Sequence, residues 1–121
     1  MQCGSYSTLE NYAKPDGIKL NINFVVLPAI DKSQDKLPLM FLAGGPGQAA
    51  AELSAHIYRG FNEIRKTRDL ILIDQRGTGK SNPLQCEDSL EVSPYTSLPE
   101  DFSVADIEQC LEKLNGDLSQ Y

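Results

Sequence analysis

The segment LPLMFLAGGPGQAAAELSAHIYRGFNEIRKTRDLILID, residues 37–74, decides the fold of this chain. It begins with a wholly apolar run, residues 37–43, and ends with DLILID, residues 69–74. Such short runs are typical of strands buried on both faces of a parallel sheet. Between them, apolar residues recur at spacings of four, four and three, which predicts one stripe of an amphipathic helix. These residues are Leu53, Ile57, Phe61 and Ile64. Strand, helix and strand in this order predict a right-handed βαβ crossover.

The chain before this segment predicts two further strands. Residues 19–29 alternate between polar and apolar and then become continuously apolar, as a strand does. Residues 3–12 predict a shorter strand, and KPDG, residues 14–17, predicts the turn between the two.

The chain after the segment predicts a long loop and one more helix. Residues 82–102 are rich in Pro, Ser, Glu and Asp, which is typical of a loop. Residues 103–115 predict a helix, with Ser103 as N-cap and Gly116 as C-cap. Its expected apolar stripe is Val104, Ile107, Leu111 and Leu114, and Cys110 lies beside that stripe.

The composition excludes several classes of function. With 121 residues the chain predicts one domain, and its net charge of −6 argues against nucleic acid as a partner. No apolar run approaches the ~20 residues that span a bilayer. No signal segment begins the sequence, so we expect either a cytosolic protein or one whose leader was removed.

The cysteines and the histidine do not form a metal-binding pattern. Cys3, Cys86 and Cys110 have no C-x-x-C spacing, and a single His cannot complete a common zinc site. The residues leave two interpretations open: three unrelated thiols, or a disulfide between Cys86 and Cys110 in an oxidising compartment. We expect neither a metal nor a cofactor.

A phosphate-binding loop is the first interpretation that Gly-Thr-Gly-Lys-Ser, residues 77–81, suggests. The Walker A pattern needs a glycine five residues before Gly79 and opens directly into a helix. That position holds Asp74, and Pro83 follows without apolar periodicity. Ser81 does not fit a nucleophile elbow either, since Pro83 replaces the last Gly of G-x-S-x-G. We predict that Ser81 is a turn residue that bonds its own backbone.

A second glycine cluster, residues 44–47, lies between the first apolar run and the predicted helix. Glycines let a backbone approach a ligand closely, and a helix N-terminus exposes N–H groups. An oxyanion hole needs fixed donors of this kind, where negative charge develops during acyl transfer. A tight turn without chemistry is the other interpretation.

The two glycine segments, in this order and separated by a helix, resemble the proline iminopeptidase and tripeptidyl aminopeptidase branch of the α/β-hydrolases. In that family a His-Gly-Gly-Pro-Gly turn follows the third strand, and Asp-Gln-Arg-Gly-x-Gly-x-Ser follows the fourth. The first motif is matched by Gly44, Gly45, Pro46 and Gly47, with Ala43 in place of the leading His, as in members of the tripeptidyl type. The second is matched by Asp74, Gln75, Arg76, Gly77, Gly79 and Ser81.

The resemblance implies an α/β fold. It is the N-terminal part of an α/β-hydrolase, a mixed sheet with short antiparallel N-terminal strands and then a parallel βαβ unit. The family's strand order is 1-2-4-3, and its catalytic Ser, Asp and His follow later than Tyr121. Residues 1–121 are therefore expected to be an incomplete domain, truncated before the nucleophile elbow. His56, the single histidine, is expected to lie at the surface.

The resemblance also implies roles for individual residues. The N–H of Gly45, or of its neighbour Gly44, would be one oxyanion donor, and the residue after the missing Ser would supply the other. Pro46, Gly47 and Gln48 are expected beside the substrate. Asp74 and Arg76 are expected to brace the oxyanion loop through charge-assisted hydrogen bonds.

The function that the resemblance favours is a serine aminopeptidase that releases residues or short peptides from peptide N-termini, with the fragment inactive alone. A hydrolase of esters or other small acyl substrates and a natively short binding module stay open. The disulfide interpretation and the tripeptidyl-type resemblance favour a periplasmic or secreted protein. Since the family's fifth strand pairs with the third, truncation leaves residues 37–43 as an apolar edge, which predicts self-association or domain swapping.

Overall fold

A computed structural model describes residues 1–45, 47–84, 104–114 and 118–120. Within them, four strands form one mixed sheet with the order β1-β2-β4-β3. The strands are β1 (Gln2–Leu9), β2 (Lys19–Leu27), β3 (Leu39–Phe41) and β4 (Leu70–Ile73). A mixed sheet with this strand order is what the resemblance implies, and it is compatible with an α/β fold.

The two N-terminal strands form an antiparallel hairpin. β1 pairs with β2 from Gln2 opposite Val26 to Leu9 opposite Lys19. The turn is closed by the N–H of Gly17, which donates to the carbonyl of Lys14 over 2.9 Å and confirms the predicted KPDG turn. β2 then pairs antiparallel with β4, which places the hairpin beside the parallel pair.

β3 differs from the prediction of a doubly buried strand over residues 37–43. The strand extends only from Leu39 to Phe41 and pairs in parallel with β4 alone. Met40 is 52% exposed and Leu42 is 70% exposed. The reason is topological, because β3 is the outermost strand and no described strand covers its second side. An apolar run indicates that a strand can be buried on both faces, but it does not indicate where in the sheet the strand lies.

The predicted helix between β3 and β4 is present in three pieces. A 3₁₀ turn (Ala51–Leu53) leads into α1 (Ser54–Gly60), and α2 (Asn62–Arg65) follows. The break is at Phe61, whose φ and ψ of −106° and 29° are not helical. Gly60 is a poor helix former, which favours interruption there. The predicted stripe is nevertheless correct, since Ile57 is buried and the other three residues pack against the core.

The hydrophobic core lies between one face of the sheet and α1. Its buried members are Val25, Leu27, Ala50, Ile57, Leu70 and Leu72. Leu27 and Leu72 are 0% exposed, so they are the most deeply buried side chains of this core. Phe41 and Phe61 extend it through an edge-to-face contact with ring centroids 6.0 Å apart. The core therefore holds the helical segment against the strands whose ends carry the two glycine segments.

Truncating a fully buried core residue should unfold much of this small domain. We expect Leu72→Ala to lower the free energy of unfolding by about 2–5 kcal/mol, through lost apolar burial and the cavity left behind. Leu42→Ala, at an exposed site, should change it by less than about 0.5 kcal/mol. Urea unfolding followed by circular dichroism measures both. Equal effects of the two variants would contradict the core described above.

The C-terminal described residues form α3 (Val104–Lys113) and a 3₁₀ turn (Leu118–Gln120). Val104 and Leu111 are exposed, so α3 does not bury the whole of its predicted stripe. Of the loop predicted over residues 82–102, residues 85–102 lie outside the described residues, as do Ser103 and Gly116. In the part of the chain that is described, no helix is both long and apolar enough to cross a bilayer.

Two of the three cysteines, Cys3 and Cys110, lie among the described residues. Cys110 is half-buried in α3 and disulfide-bonded. Cys3 carries a free thiol and is exposed in β1. Cys86, the partner proposed for Cys110, lies outside the described residues, so that pairing stays a prediction.

A candidate oxyanion loop and its supporting turn

The first glycine segment, residues 44–48, follows β3 and is named here the glycine loop. Gly45 has a φ of 151° and Gly47 a φ of 87°, values that side chains disfavour. Gly44, Gly45, Gly47 and Gln48 are all exposed, and Pro46 lies outside the described residues. Within the described part of the chain, no group accepts a hydrogen bond from the N–H of Gly44 or Gly45. The glycine loop is therefore an exposed segment among the described residues.

The second glycine segment, residues 74–81, follows β4 and is named here the supporting turn. Its backbone closes on itself, since the N–H of Gly77 donates to the carbonyl of Ser81 and the N–H of Ser81 donates to that of Thr78, each over 2.8 Å. The φ values of Gly77 and Gly79, 82° and 52°, make this tight path accessible to glycine. Because β3 and β4 are parallel, the glycine loop and the supporting turn lie at the same end of the sheet, where the carboxyl ends of both strands are found.

Asp74 joins the supporting turn to the helical segment that follows the glycine loop. Its side chain is 1% exposed, and its Oδ1 accepts a hydrogen bond from the N–H of Ala51 over 2.7 Å. Its Oδ2 accepts from Nδ2 of Asn23 over 2.8 Å and from the N–H of Lys80 over 3.3 Å. A buried carboxylate needs several donors to offset the loss of water, and this one has three. Asp74 thereby fixes the start of the helical segment that follows the glycine loop.

Gly79 brings the supporting turn directly against the residues after the glycine loop. A Cβ placed on Gly79 would lie 2.5 Å from the Cβ of Ala49 and 2.7 Å from Oδ2 of Asp74. Real Cβ atoms do not approach other atoms this closely, so only glycine fits between them. Ala49 is itself buried. The contact explains why the second motif needs a glycine at this position.

Ser81 is a structural residue that bonds the backbone of its own turn, as the sequence predicts, and it also bonds β2. Its Oγ donates to the carbonyl of Asp74 over 2.8 Å and accepts from the N–H of Asn23 over 2.8 Å. Its hydroxyl therefore joins the turn to β2 as well as to its own strand end, instead of bonding only locally. Ser81 is 0% exposed, which places it out of reach of a substrate.

The expectation that Arg76 braces the glycine loop is wrong. Its Nη1 donates to the carbonyl of Glu10 over 3.1 Å and to that of Gln120 over 3.2 Å. Arg76 lies where the chain turns after β4, so its side chain does not follow the direction of Asp74. Arg76 thus links the supporting turn to the end of β1 and to the C-terminal 3₁₀ turn.

Gln75 and Lys80 complete the turn without forming a phosphate site. Gln75 is exposed, and its carbonyl accepts from the N–H and the Oγ1 of Thr78. The N–H of Lys80, which a phosphate-binding loop would direct at an anion, donates to Asp74 instead. The turn is therefore built around an internal carboxylate.

Asn23 is the residue of this region that sequence reasoning missed. It lies in β2, and its N–H, carbonyl and side-chain amide all bond the supporting turn, through Ser81, Asp74 N and Asp74 Oδ2 respectively. The one signal in the sequence is that Asn23 is the last polar residue before the strand becomes continuously apolar. That signal does not indicate the hydrogen-bond partners of Asn23, which lie more than fifty positions away in the sequence.

Two further features, His56 and a surface cleft, belong to other parts of the described structure. His56 is exposed on α1, as expected. A cleft of about 270 Å³ opens beside the supporting turn, and its described lining comes from β1, β2, the start of the helical segment and the turn, not from the glycine loop. Among the described residues, no group of three or more His, Cys, Asp or Glu side chains could hold a metal ion.

The comparison with known proteins gives one relationship and one negative result. The chain is similar to a proline iminopeptidase from Aeromonas sobria, with 38% identity over 97 residues. The match covers 72% of this chain and 22% of that relative, so the chain spans just over a fifth of the relative's length. No family model matches the chain. The similarity indicates a relationship to hydrolases of the aminopeptidase kind.

Proposed function

We propose that this chain is the N-terminal part of a serine α/β-hydrolase, an aminopeptidase that releases residues or short peptides from peptide N-termini. The observation that carries the proposal is the junction of the glycine loop and the supporting turn at one edge of the sheet. The similarity to a proline iminopeptidase supports the same class of reaction.

The role proposed for the glycine loop is to stabilise the oxyanion. The N–H of Gly45, with that of Gly44 beside it, donates to the carbonyl oxygen of the scissile bond as it gains negative charge. Donors fixed in advance are more effective than mobile ones, because no reorganisation is needed when the charge develops. In this proposal Asp74 and Gly79 supply that fixation, because they contact Ala51 and Ala49, which follow the loop. Gly47 and Gln48, exposed on the same loop, contact the substrate in this proposal.

The rest of the catalytic machinery is assigned to sequence outside these residues. Ser81 is buried and bonded, and His56 is exposed on α1, so neither serves as nucleophile or base in the proposal. A serine hydrolase needs a serine, a base and an acid in mutual contact. The chain alone is therefore proposed to be inactive, with its donor complemented by one that follows the nucleophile.

A hybrid enzyme tests this role. The segment of the Aeromonas sobria enzyme that aligns with this chain is replaced by the residues of this chain, and hydrolysis of an N-terminal proline amide is measured. We expect Gly45→Ala to lower kcat by about 10²-fold with little change in KM, because a side chain at φ 151° displaces the donor.

The matched control is Gly60→Ala, at the end of α1, where an added Cβ meets nothing within 4 Å. It should leave kcat unchanged. A hybrid in which Gly45→Ala and Gly60→Ala have the same kcat would contradict the oxyanion role. Hydrolysis by the 121-residue chain alone would contradict the assignment of the nucleophile to other sequence.

A further inference from the structure

Asn23 fixes both the main chain and the side chain of Asp74. Its carbonyl accepts from the N–H of Asp74 over 3.0 Å, and its Nδ2 donates to Oδ2 of Asp74 over 2.8 Å. Its N–H donates to Oγ of Ser81, and that hydroxyl donates to the carbonyl of Asp74, each over 2.8 Å. The position of Asp74 is therefore set from β2, on the other side of the supporting turn from the glycine loop.

The direction of the Asp74 carboxylate depends on the amide of Asn23. Oδ2 of Asp74 accepts two hydrogen bonds, and the one from the N–H of Lys80 is the longer, at 3.3 Å. Without the amide, this long bond alone would hold Oδ2, and the carboxylate could turn about its Cβ–Cγ bond, which has a broad torsional preference. Oδ1 would then lose its alignment with the N–H of Ala51, to which it now bonds over 2.7 Å.

The glycine loop is held between two fixed segments. Before it, Phe41 and Ala43 pack against the core. After it, Ala49 and Ala50 are buried, and Ala51 is bonded to the aspartate carboxylate. The described residues of the loop itself are exposed, so the path of the loop depends on where these two segments hold its ends. A shift of the second segment therefore changes the direction of the N–H groups in the loop.

We propose that Asn23 is a positioning residue for the oxyanion donor. Its side-chain amide aligns Asp74, Asp74 aligns Ala51, and the segment that begins there holds the loop that carries the N–H of Gly45. The inference rests on the function proposed for the glycine loop. Asn23 acts through these contacts and not on the substrate, so its loss should change kcat more than KM.

The hybrid enzyme and the hydrolysis of an N-terminal proline amide test this role. Asn23→Ala should lower kcat by about tenfold or more with little change in KM, because a slightly displaced donor stabilises the oxyanion less well. The matched control is Asn21→Ala, the same substitution at an exposed position two residues earlier in β2. It should leave kcat unchanged.

Asn23→Asp distinguishes the loss of a donor from a general loss of packing. The new carboxylate replaces an amide whose nitrogen lies 2.8 Å from Oδ2 of Asp74. Two carboxylates this close share a proton as the pH falls, and the shared proton restores a donor between them. The kcat of Asn23→Asp, divided by that of the unchanged hybrid at the same pH, should therefore rise from mildly alkaline to mildly acidic pH.

The other titratable groups beside Asn23 and Asp74 are present in both hybrids, so the ratio of the two kcat values removes their contribution. Those in the described lining of the shared cleft belong to Met1, Cys3, Glu52 and Lys80.

Hydrogen exchange in the 121-residue chain supplies a measurement that needs no activity. In Asn23→Ala the amide of Ala51 should exchange faster by at least about tenfold more than the amide of Leu72, because its acceptor is no longer fixed. Leu72 lies in β4, between two paired strands, so its amide reports the opening of the whole sheet. In Asn21→Ala neither amide should change.

Three outcomes would overturn the proposal: equal kcat in the folded Asn23→Ala and Asn21→Ala hybrids, a kcat ratio for Asn23→Asp that does not depend on pH, or Ala51 and Leu72 amides that accelerate equally. Circular dichroism shows that each hybrid is folded. If Gly45→Ala lowers kcat and Asn23→Ala does not, only this proposal fails. If Gly45→Ala leaves kcat unchanged, the function proposed for the glycine loop fails, and the positioning role fails with it.

Discussion

Asp74→Ala should lower the free energy of unfolding by about 3–5 kcal/mol, a large share of the stability of a small domain. The side chain is buried and accepts three hydrogen bonds, from Asn23, Ala51 and Lys80. Its removal leaves those donors without an acceptor and without water. Asp74→Asn should lose less, because one carbonyl oxygen still accepts.

Asp69→Ala is the matched control for this prediction. Asp69 lies just before β4, and its side chain accepts one hydrogen bond, from the N–H of Ala29 over 2.7 Å. Its loss should cost about 1 kcal/mol. Urea unfolding followed by circular dichroism is suitable for all three variants, because the chain has no tryptophan. If Asp74→Ala costs no more than Asp69→Ala, Asp74 does not join the supporting turn to β2 and the helical segment as described.

Gly79→Ala should be destabilising by about 2–5 kcal/mol, for two separate reasons. The φ of 52° at this residue disfavours a side chain. The added Cβ would also overlap Ala49 and Asp74, and overpacking of a rigid site forces its neighbours to move. Gly60→Ala is again the control and should be neutral or stabilising by up to about 1 kcal/mol, since it lies in a helix with open space around it.

A double-mutant cycle isolates the contact between Gly79 of the supporting turn and Ala49, which follows the glycine loop. Ala49→Gly removes the nearer of the two overlaps and should recover part of the stability that Gly79→Ala loses. We expect a coupling energy of about 0.5–3 kcal/mol between positions 49 and 79, as for residues in direct contact. Strict additivity of the two changes would show that Ala49 and Gly79 do not touch.

The strands and the helical stripe could be predicted from the sequence because they follow from local patterns. An apolar run or a spacing of three and four residues indicates an element wherever that element finally lies. The exposed position of β3 could not be predicted from its own residues, since it depends on which strands lie beside it. The interruption at Phe61 was missed because the apolar stripe continues through it.

Of the candidate site, only the two glycine motifs could be predicted from the sequence, and not the contacts of their side chains. Gly44, Gly45 and Asp74 lie at the sheet edge that the order of strands implies. The partners of each side chain were not predictable, because hydrogen bonds form across distances in sequence that no spacing rule covers. Asn23 therefore went unnoticed, and Arg76 was assigned to the wrong neighbour.

The most direct measurement of the central claim is a crystal structure of the hybrid enzyme with a boronic acid analogue of an N-terminal proline substrate. The anionic boronate oxygen that mimics the oxyanion should lie about 2.7–3.1 Å from the backbone nitrogen of Gly45. An oxygen held entirely by other groups, with the glycine loop turned away from it, would contradict the function proposed for this chain.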